Sequence, residues 1–255
     1  CRASGIDIYE AQAQAHGEAV PFLPVLQMLR GYFGIEDEDS ERVAREKIAG
    51  RLLLLDPDFS DDLPLIFDFL AVPDPERPAP QVSAEARERL LRGVIRRLYR
   101  VPGRTEVVVN VIEDLHWMDP GSEAFVAEMV SAVEGTATLA VVNFRPEYEA
   151  DWADSPVYRR ITLVPLGPDS TKEMLTDLAG DDPSLDGLAE LVHERAGGNP
   201  FFIEEVVREL VEAGYLDGDR GSYRLTKPIG DTKVPPTVQA ILAARIDRLA
   251  TAKAL

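Results

Sequence analysis

One short stretch constrains this chain more than any other. Residues 106–112 read Glu-Val-Val-Val-Asn-Val-Ile, and two carboxylates, Glu113 and Asp114, follow at once. β-Branched side chains favour extended backbone, where they pack well on a pleated surface. A strictly alternating pattern would mark a strand with one wet face. A near-continuous apolar run instead predicts a strand buried on both faces of a parallel sheet. Asp119-Pro120 then predicts a helix start, with the aspartate as cap and the proline in the first helical position. Further buried strands are expected over 139–144, ending at Arg145-Pro146, and over 161–164. Strand, helix, strand, loop, strand is the order of an open α/β sheet.

The flanking segments read as follows. Residues 5–13 alternate like a short strand, and 20–33 space their apolar residues like a helix. Ser40 and Ser83 are placed to cap two more helices, the first running to about Leu55 and ended by Asp56-Pro57. A helical piece is expected over 63–70, and a proline-rich surface connection over 72–80. After Leu166 the strand signals stop. Helices are expected over 172–178 and 185–195, the latter closed by Gly197-Gly198. A longer helix, capped by Asn199 and started by Pro200, carries Ile203, Val206, Val207, Leu210 and Val211 on one face. A small hairpin and a last helix with Val238, Ile241, Leu242, Ile246 and Leu249 on one side complete the pattern.

Composition removes several classes. The chain of 255 residues carries a net charge of -18, and such a surface repels phosphate backbones, so direct nucleic-acid binding is disfavoured. Its single cysteine, Cys1, allows no disulfide framework and no cysteine-based zinc site. The three histidines, His16, His116 and His193, show no metal-ligand spacing. No apolar run is long enough to cross a bilayer, and a cytoplasmic setting is expected. No Gly-x-Gly-x-x-Gly opens a strand-to-helix turn, which argues against a dinucleotide-dependent oxidoreductase.

In an open α/β sheet, ligands bind beyond the carboxyl ends of the strands, and Glu113 and Asp114 stand at such an end. Paired carboxylates there suit phosphoryl transfer, one supporting Mg²⁺ on the phosphates and the other orienting or deprotonating water. They also suit an ordinary solvated loop. Residues 107–119, Val-Val-Val-Asn-Val-Ile-Glu-Asp-Leu-His-Trp-Met-Asp, followed by Pro120, tip this balance. They resemble the Walker B segment of STAND-type ATPases of the AAA class. Residues 142–148 (Val-Asn-Phe-Arg-Pro-Glu-Tyr) resemble the next strand and its sensor arginine, residues 195–210 the Gly-Asn-Pro lid motif, and residues 234–249 the segment beyond it. The nearest likeness is to the ATPase region found behind class III adenylate or guanylate cyclase domains in large bacterial regulators.

That resemblance implies a parallel-sheet P-loop NTPase core over 1–166, a helical lid over 167–214 and part of a winged-helix unit over 215–255. It implies Glu113 as the Mg²⁺-side acid, Asp114 as the catalytic or water-orienting acid, and Arg145 as the γ-phosphate sensor. Pro200 would pack on adenine, with Gly198 and Asn199 shaping the approach, although plain helix-start chemistry also explains Asn199-Pro200. Arg145 would otherwise pair with Glu147 or Glu149. His116 reads as a satisfied loop histidine, and Trp117 and Met118 as packing residues.

The phosphate-binding loop itself, Gly-x-x-x-x-Gly-Lys-Ser/Thr, is absent, since none of the lysines 47, 172, 227, 233 and 253 follows a glycine. It is expected on a strand and helix preceding Cys1, so the chain alone should bind ATP poorly. The implied function is a nucleotide-driven switch. ATP would sit between core and lid, and hydrolysis to ADP would bias an attached cyclase, kinase or DNA-binding output domain, with homo-oligomers possible in this class. The alternative is a scaffold that keeps the fold and recruits partners without turnover.

Overall fold

The computed structural model describes residues 6–14, 21–101 and 106–227, and the chain forms two compact units, Cys1–Arg160 and Ile161–Leu255. The architecture is mixed α/β with a small parallel sheet.

The first unit begins with β1 (Asp7–Gln12) and continues through α1 (Leu23–Phe33), α2 (Glu41–Leu55), α3 (Leu63–Phe69) and α4 (Ala84–Tyr99). Next come β2 (Val108–Glu113), α5 (Pro120–Ala132) and β3 (Thr138–Val142). The helix starts follow local chemistry. The hydroxyls of Ser40 and Ser83 accept the N–H groups of Val43 and Ala86, and the Asp119 carboxylate accepts that of Ser122. β2 lies between β1 and β3 and is parallel to both. Gln12 stands opposite Glu113, and Ile112 opposite Val142.

One face of this sheet is core. Tyr9, Ala11, Val108, Asn110 and Ile112 are buried there, with Leu29 of α1, Ile95 and Leu98 of α4, and Phe125 and Met129 of α5 also in the unit's buried core. Asn110, the one polar break in the β-branched run, donates its amide to the Tyr99 hydroxyl at 2.9 Å and lies 3.7 Å from the Met129 sulfur. A buried amide without such a partner would cost about 1–3 kcal/mol.

The opposite face differs from expectation. Ile8, Val109 and Val111 are only half-buried, and on β3 Leu139 and Val141 are 56% and 46% exposed. The expected strand buried on both faces is thus buried on one, and β3 is no buried strand. The cause is topological. Passing β1 to β2 to β3 moves one way across the sheet, and right-handed crossovers in one direction put every connecting helix on the same face.

A second correction concerns 161–164. These residues form no strand, and Ile161, Leu163 and Val164 are exposed. β-Propensity describes fitness for a pleated surface, and it makes no strand where the backbone finds no ladder partner.

The second unit packs α6 (Pro168–Ala179), α7 (Leu188–Ala196) and α8 (Pro200–Glu212) around Leu175, Leu178, Leu188, Val192, Ile203, Val206 and Leu210. Gly214, at a φ of 70°, follows α8. The antiparallel pair β4 (Leu216–Asp217) and β5 (Arg224–Leu225) comes next. The expected last helix, and with it most of the winged-helix segment, lies outside the described residues. Among those described, no helix is long and apolar enough to cross a membrane.

Candidate functional site

Three parallel strands end together, so Gln12, Glu113 and the residues after Val142 share one edge of the sheet. Glu113 is the last residue of β2. Its carbonyl accepts the Ala13 N–H at 3.0 Å and its side chain is exposed. Asp114 then leaves the strand in the left-handed region, at φ 60° and ψ 42°. That conformation costs a non-glycine residue of order 1 kcal/mol and persists only where the surroundings enforce it.

Asn143 supplies much of that enforcement. Its side-chain oxygen accepts the Asp114 N–H at 2.7 Å and its carbonyl accepts the Leu115 N–H at 3.0 Å. Its own N–H donates to the Ile112 carbonyl at 3.2 Å. From the other side, the Gln12 amide donates to Asp114 Oδ2 at 3.1 Å. The carboxylate is therefore held from β1 while its backbone is held from the end of β3. Leu115, fully buried, anchors the short 3-10 turn Leu115–Trp117 that follows. Sequence reasoning did not single out Gln12 and Asn143. The available signal was a polar residue one position before the end of one expected strand, and another directly after the apolar part of a second.

Arg145 lies two residues beyond Asn143 and is exposed. It makes no ion pair with Glu147, Glu149 or any other carboxylate among the described residues. Its guanidinium carbon instead sits 5.4 Å from the centroid of the Trp117 indole. Trp117 is half-buried beneath that guanidinium, and Met118 packs against the core. The His116 ring lies 4.6 Å from Trp117, and both its nitrogens are shielded from solvent without a hydrogen-bond partner among the described residues. It is not the satisfied loop histidine that was expected.

Asp119, part of the same motif, serves the fold. One carboxylate oxygen accepts the Ser122 N–H at 3.0 Å, and the other accepts the Ser122 hydroxyl at 2.6 Å and the Phe22 N–H at 3.2 Å. Gly121 lies beneath the Phe22 ring, where an added Cβ would come within 2.4 Å.

In the second unit, Gly198 has a φ of 72° and accepts the Leu166 N–H at 2.8 Å. A Cβ there would lie 2.2 Å from the Leu166 carbonyl oxygen. Asn199 caps α8 by accepting the Phe201 N–H at 3.0 Å, and Pro200 takes the first helical position, exposed. All three thus have a structural task in building the start of α8.

Among the described residues no group of three or more His, Cys, Asp or Glu side chains is placed to hold a metal ion. Glu113 and Asp114 offer only two carboxylates. That suits Mg²⁺, which keeps several waters and is commonly held by one or two carboxylates together with substrate phosphates.

Comparison with known proteins adds two likenesses. The family described as a domain of unknown function (DUF8739) matches residues 172–216, from α6 to β4. An uncharacterized protein of Rhizobium meliloti (strain 1021) is 30% identical over 169 residues, 66% of this chain. The aligned part is 16% of that relative's length, so the chain spans a small portion of a much larger protein. No solved structure matches.

Proposed function

We propose that this chain is the Mg·ATP-handling part of a nucleotide-driven regulatory switch, with a P-loop NTPase fold completed by polypeptide outside these 255 residues. The observation that carries the reading is the acid pair at the carboxyl end of β2, where Asp114 is locked in a left-handed turn by Gln12 and Asn143. A carboxylate so fixed is suited to orient a water or take its proton, because it need not reorganise as charge develops. Glu113, exposed beside it, supports the magnesium side, and Arg145 supplies a guanidinium for the terminal phosphate. Mg²⁺, when bound with the nucleotide, neutralises developing phosphate charge.

The bare parts of the sheet support the same reading. Among the described residues β3 has one free edge, and the sheet face bearing Val109, Val111, Leu139 and Val141 is apolar and uncovered by the unit's described helices. Consider a parallel strand added to that edge and returning to β1 by a crossover. Its direction of travel is reversed, so right-handedness puts its helix on the bare face. The loop joining that strand to that helix then emerges beside Glu113 and Asp114, at the point where strand order reverses. A phosphate-binding loop belongs at such a position. Gly198, Asn199 and Pro200 remain part of the proposal through the resemblance alone, as do ADP as product, the output domain and any homo-oligomer.

The test uses the polypeptide extended ahead of residue 1 by a Gly-x-x-x-x-Gly-Lys-Ser/Thr strand–helix unit. Steady-state ATP hydrolysis is expected, and Asp114→Asn should reduce turnover about a hundredfold or more while leaving ATP affinity nearly unchanged. A scaffold would show no turnover to lose.

A further inference from the structure

We propose that Trp117 is a positioning residue for Arg145, its indole face holding the guanidinium at the carboxyl end of the sheet while the N–H edge of the guanidinium takes an anionic phosphate. The inference rests on the phosphate-handling reading above and adds a residue to it. The two side chains leave loops that are clamped together. Trp117 follows Asp114 by three residues and Arg145 follows Asn143 by two, and Asn143 holds both the Asp114 and the Leu115 N–H groups.

In a chain with 45 acidic side chains, eight of the fourteen described arginines of the first unit pair with a carboxylate, among them Arg51 with Asp7, Arg87 with Asp68, Arg96 with Glu128 and Arg97 with Asp62, while Arg160 lies over the Phe144 ring. Arg145, with two glutamates within four residues of it, has none among those described and lies over an aromatic face instead. A carboxylate partner would neutralise the guanidinium and compete with an incoming anion. An indole face fixes its direction and leaves its full charge and all five N–H donors available. Glu147 and Glu149 also raise negative potential nearby, so an arginine free to wander would be drawn to them. Holding it on Trp117 keeps it aimed at the strand ends.

The probe is inorganic pyrophosphate at millimolar concentration, titrated into the 255-residue chain carrying Trp152→Phe, which leaves Trp117 as the sole tryptophan. Trp117 emission is expected to shift saturably with pyrophosphate, and the shift to vanish in Arg145→Ala, a surface change that leaves the fold intact. By calorimetry, Trp117→Leu should weaken pyrophosphate about two- to fivefold while Trp117→Phe stays near the parent. The Trp117→Leu effect should disappear in the Arg145→Ala background, a coupling that a purely structural tryptophan would not show. The proposal is overturned if emission ignores pyrophosphate, if Arg145→Ala leaves the shift in place, or if the two substitutions act additively. Intact ATP turnover in the extended polypeptide together with such a result sinks the Trp117 role alone. A responsive pair in an extended polypeptide without turnover sinks the ATPase reading alone.

Discussion

Asp114 and Gly198 both occupy left-handed backbone, for different reasons. At Asp114 an ordinary residue is held in that region by Asn143, just beyond β3, while Gln12 of β1 holds its carboxylate, a strain of the kind found at functional sites. At Gly198 the cause is space, because the Leu166 carbonyl fills the position of a side chain. Gly198→Ala is therefore expected to destabilise the second unit by about 2–4 kcal/mol in denaturant unfolding, from steric overlap added to a disfavoured φ. Titration reads a third position. The Lys47 ammonium, donating to Asp39 Oδ2 at 2.6 Å, and the Glu36 N–H at 2.8 Å hold the Asp39 carboxyl below its usual 3.8. A depressed folded-state value stabilises above the unfolded value and fades as pH falls through the folded one. In Asp39→Asn the acid-side loss of stability below about pH 4 should be shallower, which acid titration followed by circular dichroism would show. The acids Glu113 and Asp114 were legible in the sequence because they directly follow the β-branched run. Gln12 and Asn143 were not, because each closes a different run, and only the strand register reveals that they meet Asp114.

At the scale of elements, most helices were legible. Their caps are local: Ser40, Ser83, Asp119 and Asn199 each meet an N–H two or three residues ahead. Strand burial was not legible, because it depends on which way crossovers run and on what lies across the sheet. The same β-branched signal produced a paired strand at β2, a half-exposed edge at β3, and unpaired backbone at Ile161, Leu163 and Val164. The β3 edge makes a measurable prediction. The Asn143 N–H points to β2, so by strand alternation those of Ala140 and Val142 point to the free edge. Their hydrogen exchange is expected to be rapid in this chain. In the polypeptide extended by the proposed strand it should slow about a hundredfold or more, as for newly buried ladder bonds. Unchanged exchange at both amides would mean that no strand adds there.

At the scale of the whole molecule, a net charge of -18 opposes compactness and repels triphosphate at long range. Local cations must overcome that field, which is why Arg145 and an incoming Mg²⁺ carry so much of the proposed chemistry. Screening weakens self-repulsion, so the melting temperature should rise on going from about 10 mM to about 300 mM salt, with the Debye length falling from roughly 30 Å towards 5 Å. Differential scanning calorimetry at the two ionic strengths checks this. The most direct test of the acid pair is ATP affinity in the extended polypeptide, measured calorimetrically with Mg²⁺ and with chelator, for the parent and for Glu113→Gln. Mg²⁺ should strengthen ATP binding about tenfold or more in the parent, and most of that gain should disappear in Glu113→Gln. An identical Mg²⁺ gain in both proteins would contradict a role for this carboxylate pair in holding magnesium–triphosphate.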